Sequence, residues 1–95
     1  MELKLRDDVR QFVEQPHYAI LATIGSDGMP QQTVLWYELQ GDEIVMNTAA
    51  GRVKDRNLRR DPRASVCVTA DGMAVTFTGT VTLNDEQDRA LADIH

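Results

Sequence analysis

Three of the four links between this chain's apolar runs are turn signals too short for a crossover helix, and that spacing constrains the fold more than any other feature. The signals are Gly25-Ser26-Asp27-Gly28, Gln40-Gly41-Asp42 and Asp71-Gly72. They bound runs rich in strand-forming residues at 18–24, 31–39, 43–48, 64–70 and 73–83. A link of a few residues can join only antiparallel neighbours, whereas a parallel pair needs a long crossover. The pattern predicts a mainly β domain with short helices, closing into a small barrel so that no strand edge is left bare. Gly79 inside the last run predicts a bulge or a bend.

Helices frame and interrupt the strands. Leu5, Val9, Phe12 and Val13 recur at the spacing of one amphipathic face, with Asp7 and Asp8 in the early turns, until Gln15-Pro16 ends the segment. Residues 52–60 predict a polar helix stopped by Asp61-Pro62. Asn84 predicts the N-cap of a further helix, with Asp85 and Glu86 in its first turn and Gln87 at the capping-box position.

A chain of 95 residues is expected to form one small domain over 1–95, burying roughly 60–65% of its unfolded surface. No apolar run approaches the ~20 residues of a membrane span, and the first residues lack a signal-peptide core. The single cysteine, Cys67, excludes an internal disulfide and fits a reducing compartment, so the cytoplasm is the expected location.

Charge is distributed unevenly. Arg52, Lys54, Arg56, Arg59, Arg60 and Arg63, with Asp55 and Asp61, give residues 52–63 a net charge of +4 in a chain of −5, so the remainder carries −9. A cationic island in an acidic protein suits a small anion. A polyanion such as nucleic acid would be repelled by the rest of the surface. Gly51-Arg52-Val53-Lys54 follows an apolar run and opens the polar helix, which is a common setting for a bound phosphate. Arg52 and Lys54 are the candidate ligands. The alternative is a solvated helix face, with Asp55 and Arg59 as an ordinary i, i+4 pair. Arg56, Arg59, Arg60 and Arg63 exceed the needs of one phosphate. They serve either a longer anionic tail on the ligand or solubility.

Asn47-Thr48 closes the third run beside this segment and could address the polar edge of a flat ring, or simply favour a turn. Trp36 and Tyr37 are adjacent on one strand and therefore face opposite ways, one to the core and one to a cleft or a subunit interface. Cys67 reads as a buried, inert thiol. His17 and His95 are isolated, so no metal site is expected. No nucleophilic serine elbow and no acid–base carboxylate pair is visible, and no catalytic side chain is assigned. If the chain is an enzyme, a cofactor supplies the reactive atom.

Asn47-Thr48, Arg52-Val53-Lys54, the run Asn57-Leu58-Arg59-Arg60-Asp61-Pro62-Arg63-Ala64-Ser65-Val66 and Gly79 strongly resemble the pyridoxamine 5'-phosphate oxidase-like, FMN-binding split β-barrel family. The likeness covers essentially the whole chain and is nearer the branch that uses the deazaflavin F420 than the FMN oxidases proper. It implies a Greek-key split barrel that pairs as a homodimer with two cofactor sites at the interface. It implies a reductase passing hydride between reduced F420 and a small organic acceptor. The alternatives are an FMN-dependent oxidase or reductase, and a binding protein without catalysis. The family's phosphate lysine maps to Lys54, with Arg52 beside it. The ring-contacting pair maps to Asn47 and Thr48, and the strand along the ring to Thr33, Val34 and Leu35. Arg56 and Arg60, with their neighbours Arg59 and Arg63, would meet the acidic tail of F420. The partner chain would add a wall near Met73 and Ala74. Members continue well past the helix at Asn84, so the resemblance implies a fragment lacking the family's C-terminal strand. Vitamin B6 oxidation is not expected, because the matching C-terminal motif is absent.

Overall fold

The computed structural model describes residues 5–47 and 52–83. The elements run α1 (Asp7–Glu14), β1 (Tyr18–Ile24), β2 (Pro30–Trp36), β3 (Glu38–Gln40), β4 (Glu43–Val45), α2 (Val53–Arg60), β5 (Arg63–Ala70) and β6 (Met73–Thr80). The strands form two antiparallel sheets, one of four strands in the order β2-β1-β5-β6 and one of two, β3-β4. The mainly β, antiparallel expectation is met. The predicted helix at Asn84 lies outside the described residues.

Alternation along β1 sets the layers. Ala19, Leu21 and Thr23 are buried, while Tyr18, Ile20, Ala22 and Ile24 point the other way and are at least partly open. Across the sheet, Ala19 lies opposite Leu35 and Val68, and Leu21 opposite Thr33 and Val66. This inner face meets Ile44 of β4 and Leu58 of α2, with Phe12 and Leu39 packed at its margin. Val13 of α1 is also fully buried. Arg10 of α1 reaches the β3–β4 turn through the Asp42 carboxylate and the Gly41 carbonyl. The outer face has no covering element among the described residues.

Asp71 and Gly72 link β5 to β6 with φ of 53° and 79°. Both angles suit the right-handed twist of a two-residue hairpin turn.

The structure corrects several sequence expectations. The long second run is two strands, broken at Tyr37. The Tyr37 hydroxyl donates to the Val13 carbonyl at 2.7 Å and the Gln15 carbonyl at 3.2 Å. That pull toward the end of α1 takes the backbone out of the sheet, and burial raises the Tyr37 pKa above its usual value. Gly79 sits in unbroken register opposite Ala64, so it marks neither a bulge nor a bend. β6 ends at Thr80 rather than 83, after which the Val81 amide bonds the Pro62 carbonyl at 2.9 Å. β4 is shorter than the predicted run, ending at Val45. Cys67 faces the outer side and is half-buried rather than buried.

Candidate functional site

Helix α2 is polar on nearly every side, and the structure shows why it forms and where it points. Its eight residues offer one fully buried apolar anchor, Leu58. Arg52 occupies the N-cap with extended backbone and makes no side-chain capping bond, so the first amides of the helix receive no side-chain acceptor there. Arg59 and Arg60 lie in the last turn, where cations favour the helix dipole.

Most arginines of the island are engaged within the fold. Arg59 donates to Asp55 at 3.2 Å, and Asp55 is only 3% exposed. The pair predicted at i, i+4 therefore exists, but its carboxylate is buried rather than solvated. Arg60 donates to the Asn57 side chain at 2.8 Å and to the Ile24 carbonyl at 3.1 Å. Arg63 forks onto Asp61 at 3.0 and 2.8 Å. Arg56 is exposed on the same helix and is likewise not without a partner.

Lys54 differs. It is half-buried in the first turn and has no acidic partner among the described residues. Burial, and then the neighbouring Arg52 charge, lower its pKa. Two cations thus sit at the positive pole of a helix whose first-turn carboxylate, Asp55, already accepts from Arg59, and a bound anion is favoured there. The donor set is one guanidinium, one ammonium and the amides of the helix start, which the Arg52 side chain does not cap. It fits a phosphate group.

Asp61 supplies a prediction about acid stability. The Arg63 side chain, and next its backbone amide, hold the Asp61 carboxyl at about 2, against an ordinary value of 3.8. A carboxyl depressed on folding adds stability above its unfolded pKa and loses it as pH falls through the folded value. The urea midpoints of wild type and Asp61→Asn should therefore differ at pH 7, with the gap closing between about pH 4 and pH 2. An equal gap at pH 7 and pH 2 would contradict the assignment.

The residues predicted to meet a ring are distributed along β2. Thr33 and Leu35 face the core side, while Val34 faces outward opposite Ile20 and is 62% exposed. Their side chains do not share one face. What they share is the backbone of an edge strand, since β2 pairs with β1 on one side and with no strand on the other among the described residues. Asn47 is exposed just beyond β4. Thr48 and residues 49–51 lie outside the described residues.

Helix α2 and β2 are joined by a contact that sequence reasoning missed. The Asn57 side-chain amide donates to the Thr23 hydroxyl at 3.0 Å and to the Gln31 side-chain carbonyl at 3.2 Å. The available signal was the scarcity of apolar residues in this helix, which leaves polar side chains to fill the buried face. A separate cleft of about 220 Å³ is lined by residues 13–16 and 37–39, with no residue of α2 or β2. Among the described residues no group of three His, Cys, Asp or Glu could hold a metal, and no helix is long and apolar enough to cross a membrane.

On the outer face, Tyr18 and Trp36 stack with ring centroids 4.0 Å apart. They are 53% and 56% exposed, and Val34 continues the patch. Of the adjacent aromatics, Tyr37 is thus the one turned inward.

A family model described as pyridoxamine 5'-phosphate oxidase matches residues 5–94. Among solved structures, a conserved hypothetical protein from Mycobacterium tuberculosis is 34% identical with a TM-score of 0.73, the match covering 83% of this chain and 53% of that one. An F420 reductase is 25% identical with a TM-score of 0.76, covering 82% of this chain and 64% of that one. A heme-binding protein from Mycobacterium smegmatis is 26% identical with a TM-score of 0.71, covering 94% of this chain and 43% of that one. The chain thus spans less than two thirds of the length of each.

Proposed function

We propose that this chain, which belongs to the pyridoxamine 5'-phosphate oxidase family on a match over residues 5–94, binds the phosphate of a flavin-type cofactor at the start of α2 and serves a reductase that uses it. At the family level the chemistry is that of a flavin- or deazaflavin-related oxidoreductase on a mainly β split-barrel fold. The observation that carries the reading is Lys54, a half-buried cation beside Arg52 with its pKa lowered and no acidic partner among the described residues. Around it Arg59, Arg60 and Arg63 all have acceptors within the protein.

F420 is the first choice of cofactor, supported by the likeness to an F420 reductase. The bound cofactor supplies the hydride for a small organic acceptor. The chain's own residues position and shield. Arg52 and Lys54 hold the phosphate, and the edge backbone at Thr33, Val34 and Leu35 lies along the ring. Asn47 and Thr48 address the polar edge of the ring. Arg56, exposed but itself engaged within the fold, would meet an acidic tail. Arg60 would do so only by giving up its bond to Asn57 or Ile24, and this favours a second reading in which the tail-less FMN is bound.

Fluorescence titration with F420 and separately with FMN tests the proposal. Tighter binding of F420 supports the first reading and tighter binding of FMN the second. Binding of neither contradicts both. Turnover of the loaded protein with a panel of acceptors then separates a catalyst from a carrier.

The outer face, uncovered among the described residues, suits a second copy of the chain, and a homodimer in the cytoplasm, with Met73 and Ala74 of one copy near the other's cofactor, is part of the proposal. Trp36→Glu places a charge in that patch. It should convert a dimer to a monomer by light scattering while leaving the far-ultraviolet spectrum unchanged. A wild-type protein that is already monomeric at micromolar concentration would refute the dimer.

A further inference from the structure

Helices usually dock through apolar side chains, and buried polar groups are tolerated only when hydrogen-bonded. Helix α2 departs from this habit, since two of its three buried residues are Asp55 and Asn57. Asn57 is 4% exposed, and Thr23 beneath it is 2% exposed. Both side-chain N–H groups of Asn57 find acceptors, Thr23 on β1 at 3.0 Å and Gln31 on β2 at 3.2 Å. Its carbonyl accepts from Arg60 at 2.8 Å, and Arg60 bonds onward to the Ile24 carbonyl at 3.1 Å. One side chain therefore ties the helix to two neighbouring strands, and a second bond through Arg60 fixes its rotation.

The location gives this network a use. Lys54 lies one helical turn before Asn57. Gln31 lies two residues before Thr33 and on the same face of β2. An apolar contact at position 57 would hold the helix down but leave it free to slide or rotate, because dispersion and burial are not directional. Hydrogen bonds are directional.

We propose that Asn57 is a positioning residue: it locks the turn of α2 that carries Lys54 to the strand that carries Thr33, Val34 and Leu35, and so sets the spacing between a bound phosphate and a bound ring. The inference rests on the function proposed above. Its consequence is specific. A ligand that touches both ends gains from their fixed separation, as two linked binding events do, whereas a ligand that touches one end does not. A loss of general stability would instead weaken every ligand alike.

The variant is Asn57→Leu, which keeps size and burial while removing the three bonds. It should fold, and its α2 amides should exchange with solvent roughly tenfold faster while those of β5 and β6 keep their rates. FMN should bind about 10- to 100-fold more weakly, the usual cost of a misplaced binding group. Riboflavin and inorganic phosphate, each of which touches one end, should change by less than about threefold. Thr23→Val should reproduce the effect in part, and Thr23→Ser, which restores the hydroxyl acceptor, should recover it.

Unchanged exchange in α2 would overturn the positioning role whatever the ligands do. Equal weakening of FMN, riboflavin and phosphate would also overturn it. Wild-type protein that binds none of FMN, F420 and phosphate would refute the function proposed above, and the exchange arm would still decide the role of Asn57.

Discussion

Leu21→Ala lowers the stability of the fold by about 2–5 kcal/mol, the range for removing a leucine from a packed core. Leu21 is 1% exposed and lies on β1, which is paired on both sides, with Thr33 opposite it on β2 and Val66 opposite it on β5. The inner face of the sheet gathers Ala19, Val66, Val68, Ile44 and Leu58 into the same cluster, so the missing methyl groups leave a void among side chains already held in place. A domain of this size has about 5–15 kcal/mol of stability in total. The substitution should therefore shift the urea midpoint strongly while leaving the slope of the transition unchanged. Val34→Ala, on the exposed outer face, is the control and should cost less than about 0.5 kcal/mol in the monomer. Similar losses for the two variants would mean that the inner and outer faces are wrongly assigned.

Lys54→Ala weakens cofactor binding by roughly 1.5–3 kcal/mol, the scale of a hydrogen bond to a charged group, or about 10- to 150-fold in affinity. Stability should move the other way or not at all. Folding lowers the Lys54 pKa, first through burial and then through Arg52. At neutral pH the ammonium is therefore worse placed in the folded chain than in the unfolded one. This penalty is fully present below the folded pKa and fades as pH rises from the folded to the unfolded value. Lys54→Met should unfold at the wild-type temperature or above it at pH 7. It should also lose the stabilisation that added ligand gives the wild type. Loss of stability at neutral pH without loss of affinity would mark Lys54 as a structural residue. Binding residues that reduce stability are a recurrent trade in proteins, and Lys54 differs here from Arg63, whose charge is met by Asp61 within two residues.

Local features were legible in the sequence, and long-range ones were not. β1 spans 18–24 as its apolar run predicts, because a short run flanked by proline and glycine leaves little choice. Asp71-Gly72 makes its turn because both residues tolerate positive φ. The polar helix begins at Val53 with Arg52 as its cap, close to the predicted start. By contrast, the break at Tyr37 depends on carbonyls at Val13 and Gln15, more than twenty positions away. No local propensity encodes such a bond. The same holds for the site. The cationic island was visible as composition, but which cations are internally paired depends on what folds against them. Asp55 could be matched with Arg59 from spacing alone, whereas its burial, and the reach of Asn57 to Thr23 and Gln31, required the assembled sheet. Gly79 looked like a bulge because glycine commonly marks one, yet it pairs in register opposite Ala64.

The central claim is that the start of α2 holds a cofactor phosphate through Lys54, and one comparison tests it most directly. The affinities of FMN and of riboflavin, which differ only in the phosphate, are measured by fluorescence titration for wild type and for Lys54→Ala. The wild type should prefer FMN by at least about tenfold, and the preference should largely collapse in the variant, since the coupling between a group and its partner disappears when either is removed. An equal preference in both proteins would place the phosphate elsewhere and contradict the account.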